Sequence, residues 1–213
     1  MDERINGGMM DFSELHDRMQ FYIDQEILSC CTTVLMRGTD VLDHQTFGYM
    51  DLGSKKPLTE DAIYRMYSST KIVTSVALMM LYEEQKFELT DDISKFLPDF
   101  SDLVVLKEGA KSLEDVEDIE APVQINQLLS HSAGLSYGFI EPESLIDQAY
   151  NRAGITALGQ SELDLEELCV RLAKQPLAYQ PGTSWRYSFA TDVCARLIEV
   201  ISGQDFDQFL SER

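Results

Sequence analysis

Basic residues are scarce in this 213-residue chain: 17 lysines and arginines stand against 37 aspartates and glutamates, a formal charge of −20. Such a field repels phosphate backbones and anionic bilayers, so neither nucleic acid nor a membrane is expected as a partner. No stretch approaches the roughly 18 consecutive apolar residues that a spanning helix needs. The opening residues, MDERINGGMMDF, have neither the basic start nor the continuous apolar core of an export signal, and residence in the cytoplasm is the expectation. Histidines number three and cysteines four, with no Cys-x-x-Cys and no metal-ligand spacing between them. Cys30, Cys31, Cys169 and Cys194 therefore read as free thiols, and no metal or organic cofactor is implied.

What is present is the composition of an ordinary globular protein, 44% hydrophobic and 25% charged, long enough to bury a core as one large domain or two small ones. Residues 1–10 read as a loose leader, broken at Gly7-Gly8. Phe12, Leu15, Met19, Ile23 and Ile27 recur at helical spacing and predict an amphipathic helix over 11–28. Cys30 to Met36 and Val41 to Tyr49 form a hairpin pattern with its turn at Gly38, followed by a loop around Pro57 and a short extended lead from Ala62 to Tyr67. Beyond it, a second hairpin is expected from 103–106 and 116–125, then helices over 125–130, 143–153, 164–174 and from Ala190 to a cap at Gly203. The organisation that follows is a helix-and-hairpin part over 11–67 and a mainly helical part over 68–213. Nothing after residue 130 reads as a strand, and a lone two-stranded ribbon cannot bury the apolar content of the first hairpin. Helices must cover it, or further strands belong to it.

The chemistry concentrates at Tyr67-Ser68-Ser69-Thr70-Lys71. If a helix opens at Ser68, residues three apart share a face, and the Lys71 amine reaches the Ser68 hydroxyl one turn away. Free N–H groups and the positive dipole end at a helix start favour a developing oxyanion. The following run, Ile72 to Tyr82, is apolar on nearly every face, which predicts a buried helix and a Lys71 pKa lowered by desolvation. Taken alone, the same spacing also describes a capping serine followed by a solvated lysine.

Two further stretches join it: Leu128-Leu129-Ser130-His131-Ser132-Ala133-Gly134-Leu135 and Pro181-Gly182-Thr183-Ser184-Trp185-Arg186-Tyr187-Ser188. Together, in this order, the three resemble the motifs of the serine β-lactamase and penicillin-binding-protein superfamily. The resemblance is strongest to its class C β-lactamase-like branch of carboxylesterases (family VIII esterase-like) and acyltransferases, and it extends over the chain from residue 11. It implies an α+β fold: an antiparallel sheet flanked by helices, plus a mainly helical subdomain. It also implies Ser68 as acylated nucleophile, Lys71 as its partner base and Tyr187 as the phenol that shuttles the proton. Tyr137 and Phe139, just after the His131 box, are expected to line the acyl pocket, although both also suit an ordinary core. A Ser-His-Asp arrangement drawing on His16, His44 or His131 is the weaker alternative.

The chain departs from the pattern at several points. Ala133 stands where serine is usual, and Phe189 replaces the asparagine that β-lactamases of this branch carry two residues after the tyrosine. The family's third motif, a Lys-Thr-Gly or His-x-Gly segment on a strand, is not found after Tyr187. By resemblance, then, this is the N-terminal portion of a longer enzyme, with a complementary C-terminal fragment as an expected partner. The expected function is a serine carboxylesterase acting on a small-molecule ester or lactam. Acyltransferase or β-lactamase activity is the alternative within the fold, and a non-catalytic ligand-binding protein is the alternative outside catalysis.

Overall fold

The structure is a computed structural model in which residues 10–156 and 163–213 are described. The leader expected at residues 1–10 lies, but for Met10, outside the described residues. The chain divides into two compact units, Met1–Arg65 and Met66–Arg213.

The first unit begins with α1 (Ser13–Asp24), shorter than the span its apolar spacing predicts, because the chain turns at Glu26, whose φ is +55°. Two antiparallel strands follow, β1 (Cys30–Arg37) and β2 (Asp40–Asp51), joined at Gly38 with φ +62° and bulged between Leu35 and Met36. The expected loop at Pro57 is instead a short third strand, β3 (Lys56–Pro57), on the open side of β2. Proline is tolerated there because an edge strand needs no donor on its outer side. The helix lies on the sheet: His16 Nε2 is 2.9 Å from Asp43 Oδ2, and the His16 and Phe47 rings stand 6.0 Å apart. A Cβ at Gly48 would collide with the Ser29 carbonyl, so close helix-to-strand passage requires glycine. Leu58 is the one buried residue among those described in this unit, while Val34, Met36, Val41, Met50 and Leu52 are exposed.

The second unit holds the core. The expected extended lead into Ser68 contains no strand; a single tight turn, Tyr67–Ser69, runs directly into α2 (Thr70–Glu83). One stripe of α2, Thr74, Ala77, Leu78 and Leu81, is buried, and the helix packs on α6 (Ala190–Ser202). The opposite stripe corrects the expectation of a helix buried all round: Ile72 and Val76 are 71% and 57% exposed.

Between these helices, β4 (Val104–Leu106) and β5 (Val116–Asp118) make an antiparallel pair. The second strand stops well short of residue 125, ahead of Pro122, and Leu177 docks on the other side of β4 through backbone bonds of 2.8 and 2.9 Å. Next, α3 (Ile125–Leu129) is held at its start by the Gln127 side chain, which accepts from the Gln124 N–H at 2.9 Å. Its end differs from the expected glycine cap, since His131 itself takes the left-handed position at φ +55° before Gly134 does so at +85°. A Cβ at Gly134 would lie 2.6 Å from the Tyr179 carbonyl.

Side-chain caps at Ser144 and Asp164 start α4 (Leu145–Arg152) and α5 (Leu165–Ala173), and Gly203 at φ +74° ends α6 before α7 (Phe206–Glu212). The centre of the unit is a cluster including Leu78, Leu81, Leu128, Leu172, Val193, Leu197 and Phe209. Antiparallel sheets and helices together are the α+β arrangement that the motifs imply. Among the described residues no helix is long and apolar enough to cross a membrane.

Candidate active site

Ser68 sits in the tight turn that feeds α2 and Lys71 lies one turn further on, but the expected bond from the amine to the hydroxyl is not made, because the amine turns to Tyr137 and the hydroxyl to Tyr187. The residue before the serine, Tyr67, is held at φ +45°, a left-handed conformation that costs a non-glycine residue about 1–3 kcal/mol. Tyr187, 119 positions away, donates from Oη to Ser68 Oγ at 2.7 Å. Lys71 Nζ donates to Tyr137 Oη at 3.2 Å and stands 5.0 Å from the ring centres of both Tyr137 and Tyr187. The Tyr137 and Tyr187 rings meet edge to face at 5.2 Å. Serine, lysine and both tyrosines therefore form one contiguous cluster within the second unit.

Each phenol has its own support. His131 grips the segment around Tyr187: its carbonyl accepts from the Arg186 N–H at 2.9 Å, and Nδ1 lies 3.1 Å from Ser188 Oγ. The His131 ring is 5.0 Å from that of Tyr187 and 6.3 Å from that of Trp185. Tyr137 is carried on a loop tied down from beneath. Arg186 Nε donates to Ser136 Oγ at 2.7 Å and its other nitrogens reach Glu141 at 2.9 Å and the fully buried Asp147 at 3.4 Å. The Ser136 hydroxyl also bonds Asp147, whose second oxygen accepts from the Glu141 N–H at 2.7 Å. One arginine thus fixes the loop before Tyr137 and, through its own backbone, the residue before Tyr187.

The electrostatics differ from the sequence expectation. Burial does disfavour the Lys71 ammonium, but polar contacts with Tyr137 and Tyr187 and the charge of Asp192 outweigh it, and the Lys71 pKa lies above the ordinary lysine value. Lys71 is held as a cation. Burial raises the Tyr137 phenol against the opposing hydrogen bond from Lys71. His131 is pushed down by burial and by the nearby lysine charge, which keeps the imidazole neutral. Burial raises the Asp192 carboxyl, with Lys71 pulling the other way.

Lys71, Tyr137 and Asp192 border an open cavity of about 360 Å³. Ser68, Lys71, Tyr137 and Phe139 line it together, and its far wall comes from Leu165, Phe206 and Ala195. Phe139 is 42% exposed and stacks edge to face on Tyr137 at 5.1 Å, so it belongs to the rim rather than to the core. His16 and His44 belong to the first unit, engaged with Asp43 and Glu60, and do not join the cluster. Sequence reasoning missed two features of the site. The Arg186–Asp147 clamp carries no local spacing signal, because its members are 39 residues apart. Asp192 also lines the cavity; its signal was an acid among the apolar positions Phe189, Val193 and Leu197, masked by the ordinary preference for acids in a first helical turn.

A hydroxyl bonded to a phenol, with an ammonium one helical turn along, is an arrangement able to hold and move a proton. The sequence profile described as Beta-lactamase matches residues 22–213, and the chain belongs to that family. Among its relatives, Protein Rv1367c of Mycobacterium tuberculosis is 32% identical over 190 residues, 89% of this chain and 46% of that protein. Esterase EstB of Burkholderia gladioli is 29% identical over 200 residues, 92% of this chain and 47% of that one. Among solved structures, EstCE1, described as a hydrolase with promiscuous acyltransferase activity, superimposes with a TM-score of 0.80 at 30% identity, covering 94% of this chain and 49% of that one. The chain thus spans about half the length of the relatives it matches.

Proposed function

We propose that this chain carries the nucleophile-bearing part of a serine carboxylesterase that acts on small esters in the cytoplasm. The observation that carries the reading is the 2.7 Å bond from Tyr187 Oη to Ser68 Oγ, made beside the Lys71 ammonium. In the first step Tyr187, its own proton lost to water, acts as a phenolate held by the Lys71 ammonium: Ser68 Oγ bonds to the ester carbonyl carbon while its proton passes to Tyr187 Oη. Tyr187 then hands that proton to the alcohol oxygen as the carbon–oxygen bond breaks, leaving an acyl-serine, a free alcohol and the phenolate once more. Throughout the transfer Lys71 remains a cation and stabilises negative charge on the phenol. Water then repeats the sequence in reverse and releases the acid.

An alcohol in place of water gives acyl transfer on the same groups, the activity named for EstCE1 alongside hydrolysis. Lactam hydrolysis has less support, because Phe189 occupies the place of the asparagine that β-lactamases of this branch carry. Relatives about twice as long support a further part of the reading: full turnover draws on a complementary C-terminal part that supplies the second oxyanion donor.

A fluorophosphonate probe followed by peptide mapping tests the nucleophile. Label on Ser68, abolished by Ser68→Ala, is the expected result. No label in a sample that contains the complementary part would instead favour a ligand-binding protein without turnover. Hydrolysis of p-nitrophenyl esters, measured with and without that part, tests the second claim; equal rates would overturn it.

A further inference from the structure

The cavity wall includes a carboxylate that the acyl-transfer reading does not use. Asp192, in the first turn of α6, lines the same cavity as Ser68 and Lys71. Its Oδ2 is buried and, among the described residues, has no hydrogen-bond partner. An unpaired buried carboxylate oxygen is costly, and a fold that keeps one at its candidate active site gains something from the charge.

The surroundings show which charge it answers. Cys169 and Cys194 lie on the helix side, both kept as neutral thiols by burial, Cys169 with its pKa pushed up to about 12. Arg196 is four residues along α6, near enough to pair with Asp192, but its nitrogens are engaged by Glu166 at 2.8 Å and Glu199 at 3.0 Å. On the cavity side stand Tyr137 and Lys71, with Tyr187 packed against Tyr137 and the neutral His131 against Tyr187. Lys71 is the cation left to balance the carboxylate. No ion pair joins the two among the described residues; the Lys71 amine is instead turned to Tyr137 at 3.2 Å.

We propose that Asp192 is a positioning residue: its through-space charge keeps Lys71 an ammonium seated on Tyr137, so that the proton of Ser68 is relayed by Tyr187 and not taken by a lysine amine. The inference rests on the reading of Ser68, Lys71 and Tyr187 as the acyl-transfer groups. It extends that reading by naming the group that holds Lys71 as a cation.

Competitive labelling with trace acetic anhydride, read by mass spectrometry across alkaline pH with surface lysines as internal standards, tests the proposal without ester turnover. Only a neutral amine reacts, and below the pKa each unit of downward shift raises reactivity about tenfold. In Asp192→Asn, Lys71 is expected to label measurably faster than in wild type at about pH 9, with an unchanged circular dichroism spectrum. Its thermal midpoint is expected to be no lower, because the substitution removes the unpaired charge. Asp192→Glu, which restores the charge, is expected to label close to the wild-type rate.

Equal Lys71 labelling in wild type and Asp192→Asn would overturn the proposal. So would a wild-type Lys71 that labels faster than the surface lysines, an outcome readable even if the variant does not fold. A Ser68 that ignores fluorophosphonate in a sample containing the complementary part would sink the esterase reading and leave the Lys71 labelling result intact, so the two failures are distinguishable.

Discussion

On the proposed reading Tyr187 and Lys71 divide the work at Ser68, and substitution of each has its own readout. Tyr187→Phe deletes the oxygen that meets Ser68 Oγ at 2.7 Å but keeps the ring against His131 and Tyr137. Lys71→Ala removes the cation and leaves the phenol in place. In an ester-hydrolysing preparation each substitution should lower kcat/KM by about 10²–10⁴-fold. The tyrosine variant should also slow fluorophosphonate labelling of Ser68, and an unchanged rate in either variant would remove that residue from the mechanism.

His131 adds a pH dependence to stability. Its folded-state pKa is depressed, so the neutral ring is favoured on folding and its contribution is present above about 6.5, the unfolded value. That contribution is lost as pH falls through the lower folded value. Urea midpoints measured from about pH 7.5 to about 5 should decline more steeply for wild type than for His131→Asn, a residue that tolerates the left-handed backbone. Parallel limbs would refute the assignment. At this scale the sequence displayed the Ser68–Lys71 spacing and the Tyr187 motif plainly. The sign of the Lys71 shift was hidden, because it depends on Tyr137 and Asp192, which lie 66 and 121 residues away.

Among the elements, α2 sorts its apolar residues onto two faces, and substitution should tell them apart. Leu78→Ala opens a hole in the packing against α6 and should cost about 2–5 kcal/mol in denaturant unfolding. Val76→Ala, on the stripe that faces solvent, should change stability by no more than about 0.5 kcal/mol. Similar losses at the two positions would contradict the observed exposure. Most helices and both hairpins could be read from period and punctuation: Gly38, Ser144, Asp164 and Gly203 sit at turns or ends as their chemistry dictates. The misreadings share a cause. Pro57 looked like a loop because a two-residue edge strand has no periodicity to detect, and α2 looked wholly buried because composition alone cannot say which stripe has a neighbour.

Across the whole chain, the charge of −20 sets a background of self-repulsion. Raising sodium chloride from about 10 to about 150 mM, which shortens the screening length to about 8 Å, should raise the thermal midpoint; a midpoint that falls would show local ion pairs outweighing the net field. The segregation of burial has a calorimetric consequence. Apolar surface shielded from water is what absorbs heat on melting, and the described residues before Met66 include a single shielded side chain, Leu58. A scan of this chain should therefore show one sharp endotherm belonging to residues 66–213, while the ribbon and its helix loosen over a broad range of temperature with little enthalpy of their own.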